Sequence, residues 1–278
     1  MTAVSSIARP WALVTGASAG IGAEFCRQLA ARGYRLVMVA RRGVNLASLA
    51  QELEESWSTE SRIYPLDLSR SNAGAELDGW LESERIEIEF LVNNAGYGLP
   101  GHYTDADWSS HAKFLQVMVT TVCDLTWRLL PRMQSRKKGF VINVASLAGL
   151  VPGMAGHTLY GAAKAFLVRF SESLALENQS TGVKVSALCP GFTFSEFHDV
   201  TGTRELVNRL PAWMWMSATD VVAHGIRAVT HSPPRVVAVP GRVNRMIARL
   251  VRCLPSALTW ALVRWFSGRV RKQHTSAD

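Results

Sequence analysis

Residues 11–32 restrict the fold of this chain more than any other stretch. Trp11-Ala-Leu-Val-Thr15 is a short apolar run suited to a buried strand, and it meets Gly16-Ala-Ser-Ala-Gly20-Ile-Gly22. An amphipathic helical pattern follows from Ala23 to about Arg32. A glycine-rich turn between a strand and a helix lets backbone N–H groups close on a pyrophosphate at the helix's positive end. The spacing, G-x-x-x-G-x-G, differs from the more familiar G-x-G-x-x-G, so the strand–turn–helix context carries the reading.

The rest of the chain repeats this alternation. Tyr34–Ala40 is a second strand ending at Arg41-Arg42, and Arg62–Leu66 a third ending at Asp67. Phe90–Asn93 is a fourth, running into Asn94-Ala-Gly96. A long helix is predicted from Thr104 or Asp105 to about Met133, with Thr104 and Asp107 as a capping box. Further strands are read at Gly139–Ala145, Val183–Cys189 and Arg235–Val239. Strands alternating with helices of this length imply an α/β fold, a Rossmann-type doubly wound parallel sheet of about seven strands with helices on both faces. Residues 1–241 read as one nucleotide-binding and catalytic domain, and residues 242–278 as a helical extension. About twenty residues past the glycines, an acid would hold the ribose 2′-hydroxyl of NAD, whereas arginine suits the 2′-phosphate of NADP. No Asp or Glu stands between Glu24 and Glu52, so Arg41 and Arg42 point to NADP(H).

The chemistry-bearing stretch is Ser146 to Lys164. Gly161, Ala163, Phe166, Leu167, Phe170 and Leu174 have helical spacing, which puts Tyr160 and Lys164 one turn apart on one face. An ammonium beside a phenol should pull the phenol's pKa down from about 10. Such a tyrosine exchanges a proton with an alcohol or carbonyl oxygen. Ser146 follows the apolar run Phe140–Ala145, at the sheet edge where open α/β sheets bind ligands.

With these motifs in register, the chain resembles the short-chain dehydrogenase/reductase family over about residues 10–241. The resemblance implies that Gly16, Ser18, Gly20, Ile21 and Gly22 line the diphosphate and adenosine ribose. It implies that Asp67 faces the adenine and that Asn93, Ala95 and Gly96 pass beside the nucleotide. Tyr160 would be the acid–base residue, with Lys164 on the nicotinamide ribose and Ser146 on the substrate carbonyl. Pro190 and Thr193 would meet the carboxamide. One position departs from the pattern. Met118 stands where the family usually has an asparagine that holds a relay water, and no asparagine occurs from Tyr97 to Val141. Thr120, Thr121 or ordered water would substitute, or the relay is weakened.

Composition sets the outer limits. The chain has 278 residues, 48% hydrophobic and 19% charged, as expected for a globular protein with a large core. Cys26, Cys123, Cys189 and Cys253 have no C-x-x-C or histidine spacing, which excludes a metal or disulfide framework and fits a cytoplasmic setting. The net charge of +8 is concentrated near the end, where residues 241–278 hold eight basic side chains and one acid. There Arg242, Arg245, Arg249 and Arg252 fall on one helical face, with Val243, Met246, Ile247, Leu250 and Val251 on the other side. A second helix capped by Ser256 would carry Trp260, Trp265 and Phe266 and end at Arg269–Lys272. Two readings of 242–272 stay open, a peripheral membrane contact or helices packed on the body or on another subunit. Nucleic acid is disfavoured because the basic residues come with a greasy face and no stacking platform.

The segment after Pro190 is crowded with Phe192, Phe194, Phe197, Leu206, Leu210, Trp213, Met214, Trp215 and Met216. It reads as an apolar substrate lid or as ordinary packing. His157, three residues before Tyr160, reads as a pocket wall. Together the resemblance and the loop imply an NADPH-dependent reductase of a ketone or 3-oxoacyl group on a bulky or long-chain apolar substrate. The family makes a homodimer or homotetramer the expectation. Two alternatives stay open: an alcohol or steroid dehydrogenase working oxidatively, and a nucleotide-binding regulator without turnover.

Overall fold

Strand β1 (Trp11–Thr15) is buried along its whole length, so it needs cover on both faces and neighbours on both edges. The computed structural model describes residues 9–99, 101–194, 211–255, 257–261 and 263–264. In it β1 pairs in parallel with β2 (Arg35–Ala40) on one side and β4 (Ile88–Asn93) on the other. With β3 (Ser61–Pro65), β5 (Gly139–Val144), β6 (Val183–Leu188) and β7 (Val237–Ala238), the seven-stranded order is β3-β2-β1-β4-β5-β6-β7. All pairings are parallel. The strand order reverses between β1 and β4, which opens a crevice at their carboxyl ends.

Alternate side chains of each strand feed two cores. Ala12, Val14, Leu36, Met38, Val92 and Ile142 pack under α1 (Gly20–Ala30), α2 (Gly43–Trp57) and α7 (Ala218–Thr230). Trp11, Leu13, Val37, Val39, Leu91 and Val141 pack under α3 (Ala73–Ser83), α5 (Thr121–Ser135) and α6 (Thr158–Glu177). Phe25 and Phe90 are fully enclosed, each contributing about 2–3 kcal/mol by burial. The fold is therefore the doubly wound Rossmann-type sheet that the alternation implied, followed by α8 (Arg242–Cys253).

The long helix and the last strand differ from the sequence reading. The long helix starts at α4 (Trp108–Leu115), with Asp107 as its cap accepting from Ser110 N at 2.7 Å. Asp105, expected inside the helix, instead accepts from the His102 N–H at 2.6 Å and holds the preceding loop. A π turn at Gln116–Thr120 then separates α4 from α5. The last strand shortens to Val237–Ala238, since the Arg235 N–H already donates to Ala228 O at 2.9 Å.

Candidate active site

The turn after β1 is built for close approach. Gly16 sits at φ +65°, and a Cβ on Gly22 would lie 2.1 Å from Gly16 O, so neither position accepts a side chain without moving the turn. Helix α1 begins at Gly20 with no side-chain cap and no acid in its first turn, leaving its positive end open to an anion. Thr15 and Asn94, which the sequence reading passed over as site residues, latch this turn to the loop after β4. The Asn94 amide donates to Thr15 O at 2.9 Å, and the Thr15 hydroxyl accepts from Asn94 N at 3.0 Å and Ala95 N at 3.1 Å. Gly96 follows at the crevice, with the Met118 sulfur pressed against it. Asn93 itself is turned away. Its amide donates to Asn143 Oδ1 at 2.8 Å and to Thr126 Oγ1 at 3.2 Å, inside the core, so its side chain underpins the site rather than lining it.

Arg42 reaches back over the turn, its guanidinium donating to the Ser18 hydroxyl at 3.2 Å. Arg41 is exposed beside it. The Ser69 N–H, at 3.0 Å from Asp67 Oδ1, holds the Asp67 carboxyl below its ordinary range, and the Arg41 charge assists. An open helix terminus and glycines with no room for a Cβ fit the diphosphate of a dinucleotide, and two guanidinium groups stand beside them.

At the next crevice position, Ser146 caps a single 3₁₀ turn, Leu147–Gly149, its hydroxyl accepting from Ala148 N at 3.1 Å. Leu147 N donates to Pro190 O at 2.8 Å and ties this loop to the one after β6. The same hydroxyl lies within hydrogen-bonding reach of the Tyr160 phenol, in the first turn of α6. Lys164 follows one turn on, buried, with Nζ donating to Val144 O at 2.7 Å and 5.6 Å from the centre of the Tyr160 ring. The structure thus assembles Ser146, Tyr160 and Lys164.

Their ionisation differs from the expectation. Burial raises the Tyr160 pKa, with the Ser146 hydrogen bond pulling the other way, and Lys164 does not bring it down. The ammonium is committed to Val144 O and lies over the ring, while desolvation of the phenolate dominates. Burial also pushes Lys164 down to about 8, with Cys189 acting in the opposite direction. Cys189 is itself pushed up to about 12 by burial.

A small open cleft adjoins Tyr160. Its walls include Leu99, Tyr103, His111, Phe114, His157 and Leu159. His157 is exposed, with its ring 6.1 Å from that of Tyr160, in keeping with a wall position. His111 was missed, although Asp107 fixes the start of its helix and so its face. Its Nε2 lies 2.7 Å from Tyr103 O and its ring stacks on Tyr103 at 4.7 Å. Met118 is buried in the π turn among Phe114, Ala163 and Tyr160. Thr121 does not replace the absent asparagine, since its hydroxyl donates to Leu68 O at 2.9 Å.

The aromatic loop forms a separate cluster. Trp215 stacks on Phe194 at 4.7 Å and meets Phe192 at 5.8 Å, and Trp213 is exposed nearby in sequence. Thr193 is buried, and the backbone of Phe192 and Phe194 pairs with Met216 at 3.0 Å. Phe197, Leu206 and Leu210 lie outside the described residues, as do Ser256, Trp265, Phe266 and Arg269–Lys272. Among the described residues no cluster of three or more His, Cys, Asp or Glu side chains is arranged to hold a metal.

The fold and this constellation define a dinucleotide-dependent oxidoreductase of the doubly wound class, and the comparisons agree. The short chain dehydrogenase family model matches residues 10–205, and the chain belongs to that family. It is 32% identical over 206 residues to a very-long-chain 3-oxoacyl-CoA reductase of Laccaria bicolor, covering 73% of this chain and 61% of that one. Two solved structures are also similar. One is a short-chain dehydrogenase from Sphingobium yanoikuyae in complex with NADPH, with a TM-score of 0.76, 28% identity, and coverage of 97% of this chain and 96% of that one. The other is the bulky-bulky ketone specific alcohol dehydrogenase from Comamonas testosteroni, with a TM-score of 0.73, 29% identity, and coverage of 90% and 96%.

Proposed function

We propose that this chain is an NADPH-dependent carbonyl reductase acting on a ketone or 3-oxoacyl group with a bulky or long apolar part. The observation that carries this is the meeting of Ser146, Tyr160 and Lys164 beside a cleft, with Arg41 and Arg42 at the end of β2. NADP-type cofactors supply the hydride. Gly16, Gly20, Ile21 and Gly22 would carry the diphosphate side, Arg41 and Arg42 with Ser18 the 2′-phosphate, and Asp67 the adenine. Ala95, Gly96, Pro190 and Thr193 would border the nicotinamide half. The resemblance to a very-long-chain 3-oxoacyl-CoA reductase and to a bulky-ketone dehydrogenase supports the substrate class.

The chain's own residues then divide the work. Ser146 donates a hydrogen bond to the substrate carbonyl. Tyr160, whose burial keeps the phenol protonated, gives its proton to that oxygen as negative charge develops there. Lys164 would hold a ribose hydroxyl of the cofactor, and its ammonium places a positive charge beside the phenolate left behind. Because Lys164 loses its proton near pH 8, reduction should decline as pH rises through that value. Replacing Tyr160 by Phe keeps the ring and removes the proton. Turnover should fall at least about 100-fold across ketones and 3-oxoacyl thioesters of increasing length, with NADPH binding unchanged. Near-normal turnover by Tyr160→Phe on its best substrate would end the proposal.

A further inference from the structure

Helix α8 turns a charged and apolar surface outward. No acidic residue occurs between Arg242 and Ala277, while four arginines lie within α8 itself. At about 100° per residue, Arg242, Arg245, Arg249 and Arg252 make one row, and Met246, Leu250 and Cys253 lie directly beside it. The protein body takes the far side. Asn244 is buried there, its amide donating to Pro240 O at 3.0 Å, and Val243, Ile247 and Val251 are half-covered. This corrects the simple two-face division read from sequence, because the apolar arc is split. Its inner half packs, and its outer half leaves Met246 62% and Leu250 55% exposed in a groove shared with Arg242, Arg245 and Arg249. Beyond Pro255, Leu258 and Trp260 are also exposed, at 52% and 60%.

The anchoring of α8 gives this face a position relative to the active site. Asn244 is packed so tightly on Gly191 that a Cβ at that glycine would lie 2.6 Å from its Oδ1. The Asn244 amide also meets the Met216 sulfur at 3.6 Å, and Met216 pairs with the strand of Phe192 and Phe194. Whatever α8 rests on therefore lies next to the loop that carries Pro190, Thr193 and the aromatic cluster.

From these observations we infer that the outer face of α8 docks on an anionic lipid surface. Arginines supply attraction to acidic headgroups, and Met246, Leu250 and Trp260 supply apolar groups for the interface. A second copy is a poorer occupant, because symmetric pairing sets one arginine row against another with no acid on the helix. Nucleic acid is poorer too, because the groove floor between the arginines is aliphatic rather than a stacking platform. Among the described residues no helix is long and apolar enough to cross a membrane, so the contact proposed is peripheral.

The test is co-sedimentation of the full chain with phosphatidylcholine vesicles, with and without phosphatidylserine. Two exposed-site variants, Arg242→Gln/Arg249→Gln and Met246→Ser/Leu250→Ser, accompany it. Folding is checked by thermal melting, and NADPH binding is followed separately so that failure of the reductase reading leaves this test intact. The full chain should pellet with the anionic vesicles at low salt, and added salt should weaken but not abolish binding. The arginine variant should bind about twenty-five-fold more weakly, taking each of its two lost cations as roughly a fivefold factor. The apolar variant should lose the salt-resistant part. No pelleting of the full chain at low salt would overturn the inference, as would equal pelleting by all three proteins. Binding that a DNA duplex abolishes and the apolar variant retains would overturn it in favour of nucleic acid. A shift in the size of the free protein caused by the variants, without vesicle binding, would do so in favour of a second copy.

Discussion

Lys164 is the residue at which site chemistry and stability should oppose each other most clearly. It is 5% exposed, its pKa is pushed down to about 8 by burial, and its ammonium donates to Val144 O at 2.7 Å. An ordinary lysine titrates near 10.4, and each factor of ten in proton affinity is worth about 1.4 kcal/mol. Keeping this ammonium charged in place therefore costs the folded state roughly 3 kcal/mol at neutral pH. Lys164→Met preserves most of the stem and removes the charge. It also leaves Val144 O without its donor, at a cost of about 1–3 kcal/mol. The net expectation is a variant as stable as the parent or stabler by about 1–2 kcal/mol, with a melting temperature unchanged or raised by a few degrees. Its turnover should be lost.

The pH dependence tests the sign. The folded pKa lies below the unfolded one, so between pH 8 and about 10.4 the unfolded chain binds more protons and the parent gains stability as pH rises. The penalty is full below pH 8 and gone above the unfolded value. The advantage of Lys164→Met should accordingly be largest near pH 7 and shrink towards pH 10. Paired thermal or urea melts of the two proteins at several pH values, taken as differences, cancel the other titrating groups. A variant that melts well below the parent at pH 7, with a gap independent of pH, would refute the reasoning. It would mean that the Val144 hydrogen bond outweighs desolvation.

Two further expectations concern the cofactor crevice. Replacing Arg41 and Arg42 together by Ala should remove most of a tenfold to hundredfold preference for NADPH over NADH, measured by fluorescence titration. Equal affinity for both cofactors in the parent would refute the assignment to the 2′-phosphate. Gly22→Ala places a Cβ 2.1 Å from Gly16 O and 2.6 Å from Asn94 Nδ2. It should cost about 1–3 kcal/mol of stability and weaken dinucleotide binding together, and a variant with both unchanged would show the turn to be slack.

The sequence by itself determined the sheet and pointed to the candidate site. Continuous apolar runs such as Trp11–Thr15 and Phe140–Ala145 can be satisfied only between two helical layers, and glycines at 16, 20 and 22 mark where the backbone must come close. One-turn spacing placed Tyr160 and Lys164 together because a helix repeats locally. What depended on distant partners was decided by tertiary structure alone. Asn93 is turned into the core by Asn143, which is 50 residues away, and no local pattern shows that choice. Lys164 is held by the carbonyl of Val144, so its charge sits over the Tyr160 ring and burial governs both pKa values. The apolar arc of α8 reads as one surface until the body covers half of it through Asn244. Periodicity is a property of a segment, whereas desolvation and partner choice belong to whatever the rest of the chain brings against it.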